Sequence, residues 1–202
     1  MLALLLLTLR GTPFIFQGQE IGMTNFDFKS LKEVNDVESR SLDTLMKKMH
    51  IPGFLRWRWI KASSRDNSRT PVQWSGEENA GFSTVKPWLG INSNYRYINY
   101  ESQKNNPSSV LSFYKTLIAI RQKNRCLKYG EFVPVYGDKS LMLYQRKLGD
   151  EVYAIALNFS SRRIKLPKKA AEFLTGTEII SAAGAASPPG VLLPWYGVLI
   201  KC

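Results

Sequence analysis

The chain has 202 residues and a formal net charge of +12, from 28 Lys and Arg against 16 Asp and Glu. Hydrophobic residues make up 44% of the sequence, which excludes an intrinsically disordered or collagen-like chain. With two cysteines and one histidine, the composition also disfavours a disulfide scaffold, most metal sites and most Ser–His catalysis. The length suits one domain or two small ones with a sizeable core.

The basic excess is spread along the whole chain and forms neither a tail nor a long run. Nucleic-acid-binding proteins usually concentrate such charge on one face and add a recognisable motif. The sequence contains no zinc-finger spacing, no RNA-recognition motif and no basic zipper, so we expect a basic surface without a nucleic-acid partner. The two cysteines, Cys126 and Cys202, are distant in sequence and favour a reducing, cytoplasmic setting.

Apolar residues dominate the beginning of the sequence. Met1–Leu9 (MLALLLLTL) is typical of the last turns of a buried helix that stops at Gly11. It lacks the flanks of a secretory signal and is too short to span a membrane. Thr12–Gln17 is rich in aromatic and β-branched residues, which predicts a buried strand. A buried helix seldom opens a chain, so we expect this sequence to begin in the middle of a larger structure.

Helical patterns and a long irregular segment follow. Apolar residues recur at helical spacing over Lys29–His50 and over Pro107–Asn124, and Phe54–Ile60 predicts a further short helix. Between them, Ser63–Ser109 has little periodicity and much Asn, Ser, Pro and Gly. Connections of that length are usually functional when they are ordered.

The pattern changes to strands after Tyr129. Leu148–Gly149–Asp150 indicates a hairpin turn within an all-β module. The predicted strands are Phe132–Tyr136, Ser140–Lys147, Glu151–Phe159, Arg162–Leu166, Thr177–Ile180, Gly190–Leu193 and Gly197–Lys201. We therefore divide the chain into domains at residues 1–126 and 127–202.

The strongest local candidate for chemistry lies in the irregular segment, at Arg65–Trp74 (RDNSRTPVQW). Arginine has a rigid fork of donors that suits carboxylates and sugar hydroxyls, and the nearby Trp74 and Trp88 offer apolar faces for sugar rings. The alternative is structural: an ion pair of Asp66 with Arg65 or Arg69 would hold a long loop in place.

A second candidate is the polar loop with Gln19 and Glu20, followed by Asp36 and Glu38. Barrel enzymes keep their active sites in loops that follow parallel strands, so Glu20 is either a catalytic carboxylate or the partner of an arginine. His50 has no acid or nucleophile beside it in the sequence, which favours a structural role.

Several of these segments together resemble glycoside hydrolase family 13, in its oligo-1,6-glucosidase and α-glucosidase branch. Order and spacing agree along essentially the whole chain, and the most specific segment is Arg65–Trp74. The other segments are Gly11–Asn25 (GTPFIFQGQEIGMTN), Asn35–Ser39 (NDVES), Phe82–Pro87 followed by Trp88, and Asn94–Asn99 (NYRYIN).

The resemblance implies an α/β fold: the C-terminal fragment of a (β/α)8 TIM barrel followed by an antiparallel β-sandwich. In that arrangement Met1–Leu9 ends the seventh barrel helix, Thr12–Gln17 is strand eight and Pro107–Asn124 is helix eight. Residues 26–106 are an elaborated loop region, and residues 130–202 form the β-sandwich.

The resemblance also implies retaining hydrolysis by two carboxylates, with a third assisting. In this family all three lie on strands four, five and seven, so we expect no catalytic residue in this chain and no activity from it alone. The substrate contacts that carry over are Arg65, which matches an arginine at the innermost glucose, and Glu38, which matches a glutamate near the next subsite. Gln19 departs from the commoner acidic residue.

The leading hypothesis is thus the C-terminal portion of a retaining α-glucosidase acting on short α-linked gluco-oligosaccharides. The expected partners are an oligosaccharide and the missing N-terminal barrel portion, with no cofactor, metal, membrane or nucleic acid. The alternative is a non-catalytic carbohydrate-binding or accessory module. A nucleic-acid binder, suggested by charge alone, is the third hypothesis.

Overall fold

A computed structural model describes residues 1–182 and 187–202. The helices are α1 (Leu2–Thr8), α2 (Val37–Lys48), α3 (Gly53–Ser63), α4 (Tyr100–Gln103), α5 (Val110–Lys123), α6 (Arg125–Tyr129) and α7 (Lys168–Ala171). The strands are β1 (Glu131–Gly137), β2 (Leu141–Leu148), β3 (Glu151–Asn158), β4 (Ile164–Lys165), β5 (Thr177–Ala182), β6 (Val191–Leu192) and β7 (Gly197–Lys201). The chain divides into a sheet unit, residues 1–14 and 112–202, and a loop unit, residues 15–111.

The sheet unit contains the antiparallel β module that the sequence predicts. Its five-stranded sheet has the order β1-β2-β3-β7-β5, and β4 pairs with β6 in a second, two-stranded sheet. Every pairing between the described strands is antiparallel. The predicted hairpin joins β2 to β3, where Gly149 has a φ of 57° that only glycine adopts readily. The predicted strands of this module are confirmed.

Both faces of the central strand β3 are covered, which explains its nearly continuous apolar sequence. Tyr153, Ile155 and Leu157 belong to a core formed with α1, α5 and α6, whereas Ala156 belongs to a second core. The second core is completed by buried residues of the strands and of the segments around them: Leu141, Leu143, Ala170, Leu192, Tyr196, Val198 and Ile200. The alternation of side chains along a strand places the two sets on opposite faces.

The buried helix predicted at the beginning of the chain is confirmed as α1. Leu4 and Leu7 are almost fully buried in the first core. Two arginines bind carbonyl oxygens at and just after its C-terminus: Arg121 donates to Leu7, Leu9 and Gly11, and Arg146 donates to Thr8. A positive charge at a helix C-terminus is stabilised by the unpaired carbonyl groups and the helix dipole.

The buried strand predicted at Thr12–Gln17, strand eight of the expected barrel, is wrong for this structure. The segment has no strand geometry, and Phe14 is 83% exposed. A strand needs neighbours that satisfy its backbone N–H and C=O groups, and none of the described strands pairs with this segment. Its apolar sequence therefore leaves aromatic side chains in contact with solvent.

The loop unit is built mostly from short helices. The helical pattern over Lys29–His50 divides into a 3-10 turn at Leu31–Glu33 and α2, and the short helix predicted at Phe54–Ile60 is confirmed as α3. A small core of Phe28, Val34, Met46 and Ile60 holds α2 and α3 together. Asp43 of α2 accepts a hydrogen bond from Nε of Arg56 of α3 at 3.0 Å.

The predicted irregular segment is ordered by buried amide side chains. Gln73 is fully buried and donates from Nε2 to Asn94 Oδ1 at 3.1 Å and to the carbonyl oxygen of Ile98. The backbone carbonyl oxygen of Gln73 accepts from the backbone N–H of Tyr100. These contacts close a loop of almost thirty residues without regular sheet structure. The helix predicted to follow it, over Pro107–Asn124, is confirmed as α5 with a later start.

Candidate functional site

Two distant segments meet in the loop unit, at the start of α2 and just after α3. The first is Asn35–Ser39 and the second is Ser64–Arg69, a 3-10 turn whose N-cap Ser64 accepts a hydrogen bond from the backbone N–H of Asp66. Both segments were singled out in the sequence. The structure joins them through two aspartates, Asp36 and Asp66, each of which binds the backbone of the other segment.

Asp66 is fully buried, and its carboxylate organises the turn that carries Asp36. Its Oδ2 atom accepts from the backbone N–H groups of Asn35 at 2.6 Å and Asp36 at 2.9 Å. Its Oδ1 atom accepts from Nη1 of Arg69 at 3.3 Å. Of the two ion pairs that the sequence suggested for this aspartate, the structure thus contains the one with Arg69.

Asp36 is the anchor of Arg65. Its Oδ1 atom accepts from both Nε and Nη2 of Arg65, at 3.0 and 2.8 Å, and its Oδ2 atom accepts from Ser39 Oγ at 2.7 Å and from the backbone N–H of Arg65 at 3.2 Å. The side chain is only 3% exposed. Burial by itself would raise the pKa of Asp36, but the hydrogen bonds from Ser39 and Arg65 outweigh it and lower that pKa to about 2.

Arg65 is bound to Asp36 through part of its guanidinium, and the rest of that group is exposed to solvent. Its guanidinium is 55% exposed although Nε and Nη2 are both bound to Asp36. The hydrogen bond to Asp36 is the main reason that the pKa of Arg65 is raised, so the guanidinium remains charged. Within the described residues, Nη1 of Arg65 has no hydrogen-bond partner. This amino group supplies two donors that a ligand can use.

Glu38, the second residue expected to contact substrate, lies beside Arg65. Its Oε2 atom is 3.2 Å from Nη2 of Arg65, and the side chain is 74% exposed. The second carboxylate oxygen can therefore accept a hydrogen bond from a ligand. The two predicted substrate residues thus stand together on the surface, one as a donor and the other as an acceptor.

The other residues singled out in the sequence take no part in this cluster. Gln19 Oε1 accepts from the backbone N–H of Phe16 at 3.2 Å, and Glu20 has one buried carboxylate oxygen with no partner among the described residues. His50 is exposed at the end of α2 with a positive φ of 58°. Trp74 packs edge-on against Tyr100. None of the hydrogen bonds or ion pairs described above joins these side chains to Arg65.

The anchoring role of Asp36 was not predicted. An aspartate followed three residues later by Ser39 before a helical pattern indicates a helix N-cap, which accounts for its residue type locally. The structure uses the carboxylate differently: it does not cap α2 and instead binds Arg65, a partner 29 residues away. The one available signal was that Asp36 lies within Asn35–Ser39, one of the segments that resemble the family.

Two classes of site receive no support within the residues that the structure describes. No group of three or more His, Cys, Asp or Glu side chains is arranged to bind a metal ion in residues 1–182 and 187–202. Across that same part of the chain, no helix has the length and apolar character needed to cross a bilayer.

Known proteins resemble the chain over most of its length. A family model described as alpha amylase, catalytic domain, matches residues 1–130. A glucan 1,6-alpha-glucosidase of Streptococcus pneumoniae is 40% identical over 159 residues, which are 79% of this chain and 30% of that protein. A probable oligo-1,6-glucosidase of Bacillus subtilis is 41% identical over 155 residues, 75% of this chain and 28% of that protein.

Solved structures agree with these matches. The isomaltulose synthase of Klebsiella sp. LX3 superimposes with a TM-score of 0.89 at 36% identity, covering 99% of this chain and 37% of that one. The chain thus spans about a third of the length of the proteins that it matches. Because the family model covers well over half of its residues, the chain belongs to the alpha-amylase family of glycoside hydrolases.

Proposed function

We propose that this chain is the C-terminal portion of a retaining α-glucosidase that hydrolyses short α-linked gluco-oligosaccharides. The observation that carries the proposal is the pairing of Arg65 with Glu38: an anchored guanidinium with a free Nη1 group beside an exposed carboxylate. Such a pair can bind the vicinal hydroxyls of a glucose ring as donor and acceptor. The similarity to proteins named glucan 1,6-alpha-glucosidase and oligo-1,6-glucosidase supports the choice of substrate.

Within that function, Arg65 and Glu38 orient the sugar and do not react with it. An arginine fixed by Asp36 loses little freedom when it binds a hydroxyl, so its contact places the anomeric carbon with little entropic cost. We assign the bond-breaking steps to carboxylates in the part of the enzyme that residues 1–202 do not supply. In retaining enzymes the nucleophile and the acid/base are about 5–5.5 Å apart.

The domain assignment follows the same proposal. Residues 1–126 complete the (β/α)8 barrel with its elaborated loop, and residues 127–202 form the C-terminal antiparallel domain. The N-terminal part of the barrel is the partner that covers the exposed aromatic side chains of Phe14 and Phe16. The cytoplasmic setting remains a prediction from the scarcity of cysteine.

A chimera tests this proposal. Residues 1–202 replace the matching C-terminal third of the Streptococcus pneumoniae glucan 1,6-alpha-glucosidase, and hydrolysis of isomaltose and p-nitrophenyl α-glucoside is measured. We expect turnover by the chimera and none by residues 1–202 alone. A chimera that folds with the circular dichroism and Tm of the unmodified relative but does not hydrolyse either substrate contradicts the proposal, as does turnover by the isolated chain.

The alternative is a non-catalytic carbohydrate-binding module, and one feature of the loop unit favours it. Trp74 and Trp88 are largely exposed and present aromatic surface of the kind on which sugar rings stack. Under this alternative the folded chimera stays inactive while residues 1–202 alone bind isomaltose, as measured by isothermal titration calorimetry. Under the α-glucosidase proposal, the chimera is active.

A further inference from the structure

The two aspartates of the site form a reciprocal lock between distant segments. Asp66, beside Arg65, accepts hydrogen bonds from the backbone N–H groups of Asn35 and Asp36. Asp36, in turn, accepts one from the backbone N–H of Arg65. Both carboxylates are almost completely buried. Removing either one therefore releases a backbone contact of the segment that carries the other.

The lock determines which atoms of Arg65 remain available. A single oxygen of Asp36, Oδ1, accepts hydrogen bonds from both Nε and Nη2 of Arg65. Oε2 of the exposed Glu38 lies 3.2 Å from the same Nη2 atom. The backbone N–H of Arg65 is bound to Asp36 as well, so the arginine is fixed at its main chain and at its head group. Among the nitrogen atoms of Arg65, only Nη1 has no hydrogen-bond partner in the described part of the chain.

We propose that Asp36 and Asp66 are positioning residues that fix the Arg65 guanidinium with Nη1 presented to an uncharged, hydroxyl-bearing ligand. Two carboxylates, Asp36 and Glu38, contact one guanidinium, so the immediate surroundings of Nη1 carry a net negative charge. An anionic ligand such as a phosphorylated sugar would meet that charge at close range, whereas a sugar hydroxyl donates to Glu38 and accepts from Nη1 without penalty. The ligand class rests on the function proposed above; the positioning role does not.

The positioning role can be measured on residues 1–202 without any activity. The readout is the solvent-exchange rate of the Arg65 Nε–H proton by nuclear magnetic resonance, with the exposed Arg163 as an internal reference. We expect exchange to be at least about tenfold slower at Arg65 than at Arg163 because Nε donates to a buried carboxylate. In Asp36→Asn and in Asp66→Asn, the Arg65 rate should rise towards that of Arg163.

Asp43→Asn is the matched control. Asp43 also binds the Nε atom of an arginine, Arg56, in the same unit, but it does not contact Arg65. This variant should increase exchange at Arg56 and leave Arg65 unchanged. If Asp66→Asn does not fold, the milder Ser39→Ala variant removes the 2.7 Å hydrogen bond to Asp36 Oδ2 and should raise the Arg65 rate by a smaller factor. Unchanged exchange at Arg65 in folded Asp36→Asn overturns the positioning role.

Titration with inorganic phosphate tests the ligand class. In the wild-type chain, the Arg65 Nε resonance should not move up to about 20 mM phosphate, a concentration that detects millimolar affinity. In the double variant Asp36→Asn, Glu38→Gln, which leaves the guanidinium charge uncompensated, it should shift. Saturable binding of phosphate at wild-type Arg65 overturns the preference for an uncharged ligand.

The chimeric enzyme separates this proposal from the proposed function. There, Asp36→Asn should lower kcat more than it raises KM for isomaltose, because a mobile Arg65 binds the sugar in unproductive orientations. If Arg65→Ala has no effect on kcat/KM while the exchange results hold, the function fails and the positioning role stands. If Arg65→Ala lowers kcat/KM but Asp36→Asn leaves Arg65 fixed and fully active, only the positioning role fails.

Discussion

Replacing Arg146 with methionine should destabilise the sheet unit strongly. Arg146 is fully buried and has no acidic partner among the residues that the structure describes; its guanidinium donates to the carbonyl oxygens of Thr8, Leu127 and Gly130. These oxygens terminate α1 and α6. Methionine fills a similar volume and removes all three hydrogen bonds, so the variant isolates the polar contribution from the packing.

The magnitude follows from two opposing effects. A hydrogen bond from a charged donor contributes about 1.5–3 kcal/mol, and three buried carbonyl oxygens would lose such a donor. Against this, the charge is costly to bury: burial and the nearby Arg121 charge lower the pKa of Arg146, and its Nε atom has no partner. We expect a net loss of about 3 kcal/mol, which corresponds to a Tm roughly 14 °C lower for a unit of this size.

Amide hydrogen exchange in the central strand β3 measures this loss, because those amides exchange only when the whole sheet unfolds. Arg163→Met is the control, since Arg163 is exposed, and it should change the unfolding free energy by less than about 0.5 kcal/mol. A loss below about 1 kcal/mol in Arg146→Met would refute the reasoning, because the cost of burying the charge would then cancel its three hydrogen bonds.

Three further predictions concern the site and the cysteines. Asp66→Ala should lower the unfolding free energy of the loop unit by about 2–4 kcal/mol, because two backbone N–H groups lose a buried acceptor. Urea titrations followed by tryptophan fluorescence measure this loss. Glu77→Ala, at an exposed position, is the control, and equal stability of the two variants would contradict the role of Asp66. The pKa of Asp36 is lowered to about 2, so its ionised form stabilises the fold above its ordinary pKa near 4, and that contribution should be lost as the pH falls from about 4 to 2. Asp36→Asn should remove this part of the pH dependence, and a wild-type curve of the same shape as that of the variant would disprove it. Cys202 is exposed whereas Cys126 is fully buried, so a thiol reagent should modify Cys202 first, as mass spectrometry of tryptic peptides would show. Faster labelling of Cys126 would contradict its burial.

The sequence predicts the β module and most helices because their signals are local. Apolar runs on either side of the turn at Gly149 define β2 and β3, and the apolar stripe of α5 defines a helix. The prediction fails at Thr12–Gln17 because an apolar run shows that a segment is suited to burial but does not show what would bury it. In this structure no described strand pairs with that segment, and Phe14 stays exposed.

The site was predictable only in part. Arg65 and Glu38 follow from their segments, each of which resembles a family motif, and the structure brings the two side chains within 3.2 Å. The lock between Asp36 and Asp66 was not predictable, because it joins residues about thirty positions apart and each residue also fits a local role. Local patterns determine where a turn or a cap forms, whereas the choice of partner for a buried carboxylate is made by the packing of α2 against α3.

The central claim is that Arg65 binds the substrate of an α-glucosidase, and kcat/KM of Arg65→Ala for isomaltose in the chimeric enzyme tests it most directly. Asp43→Asn, which breaks a comparable Arg–Asp pair elsewhere in the loop unit, serves as the control. We predict that kcat/KM falls by well over tenfold in Arg65→Ala, a loss above about 1.4 kcal/mol of transition-state binding, while the control stays near the unmodified chimera. A near-normal value in folded Arg65→Ala would contradict the claim and exclude Arg65 from the substrate site.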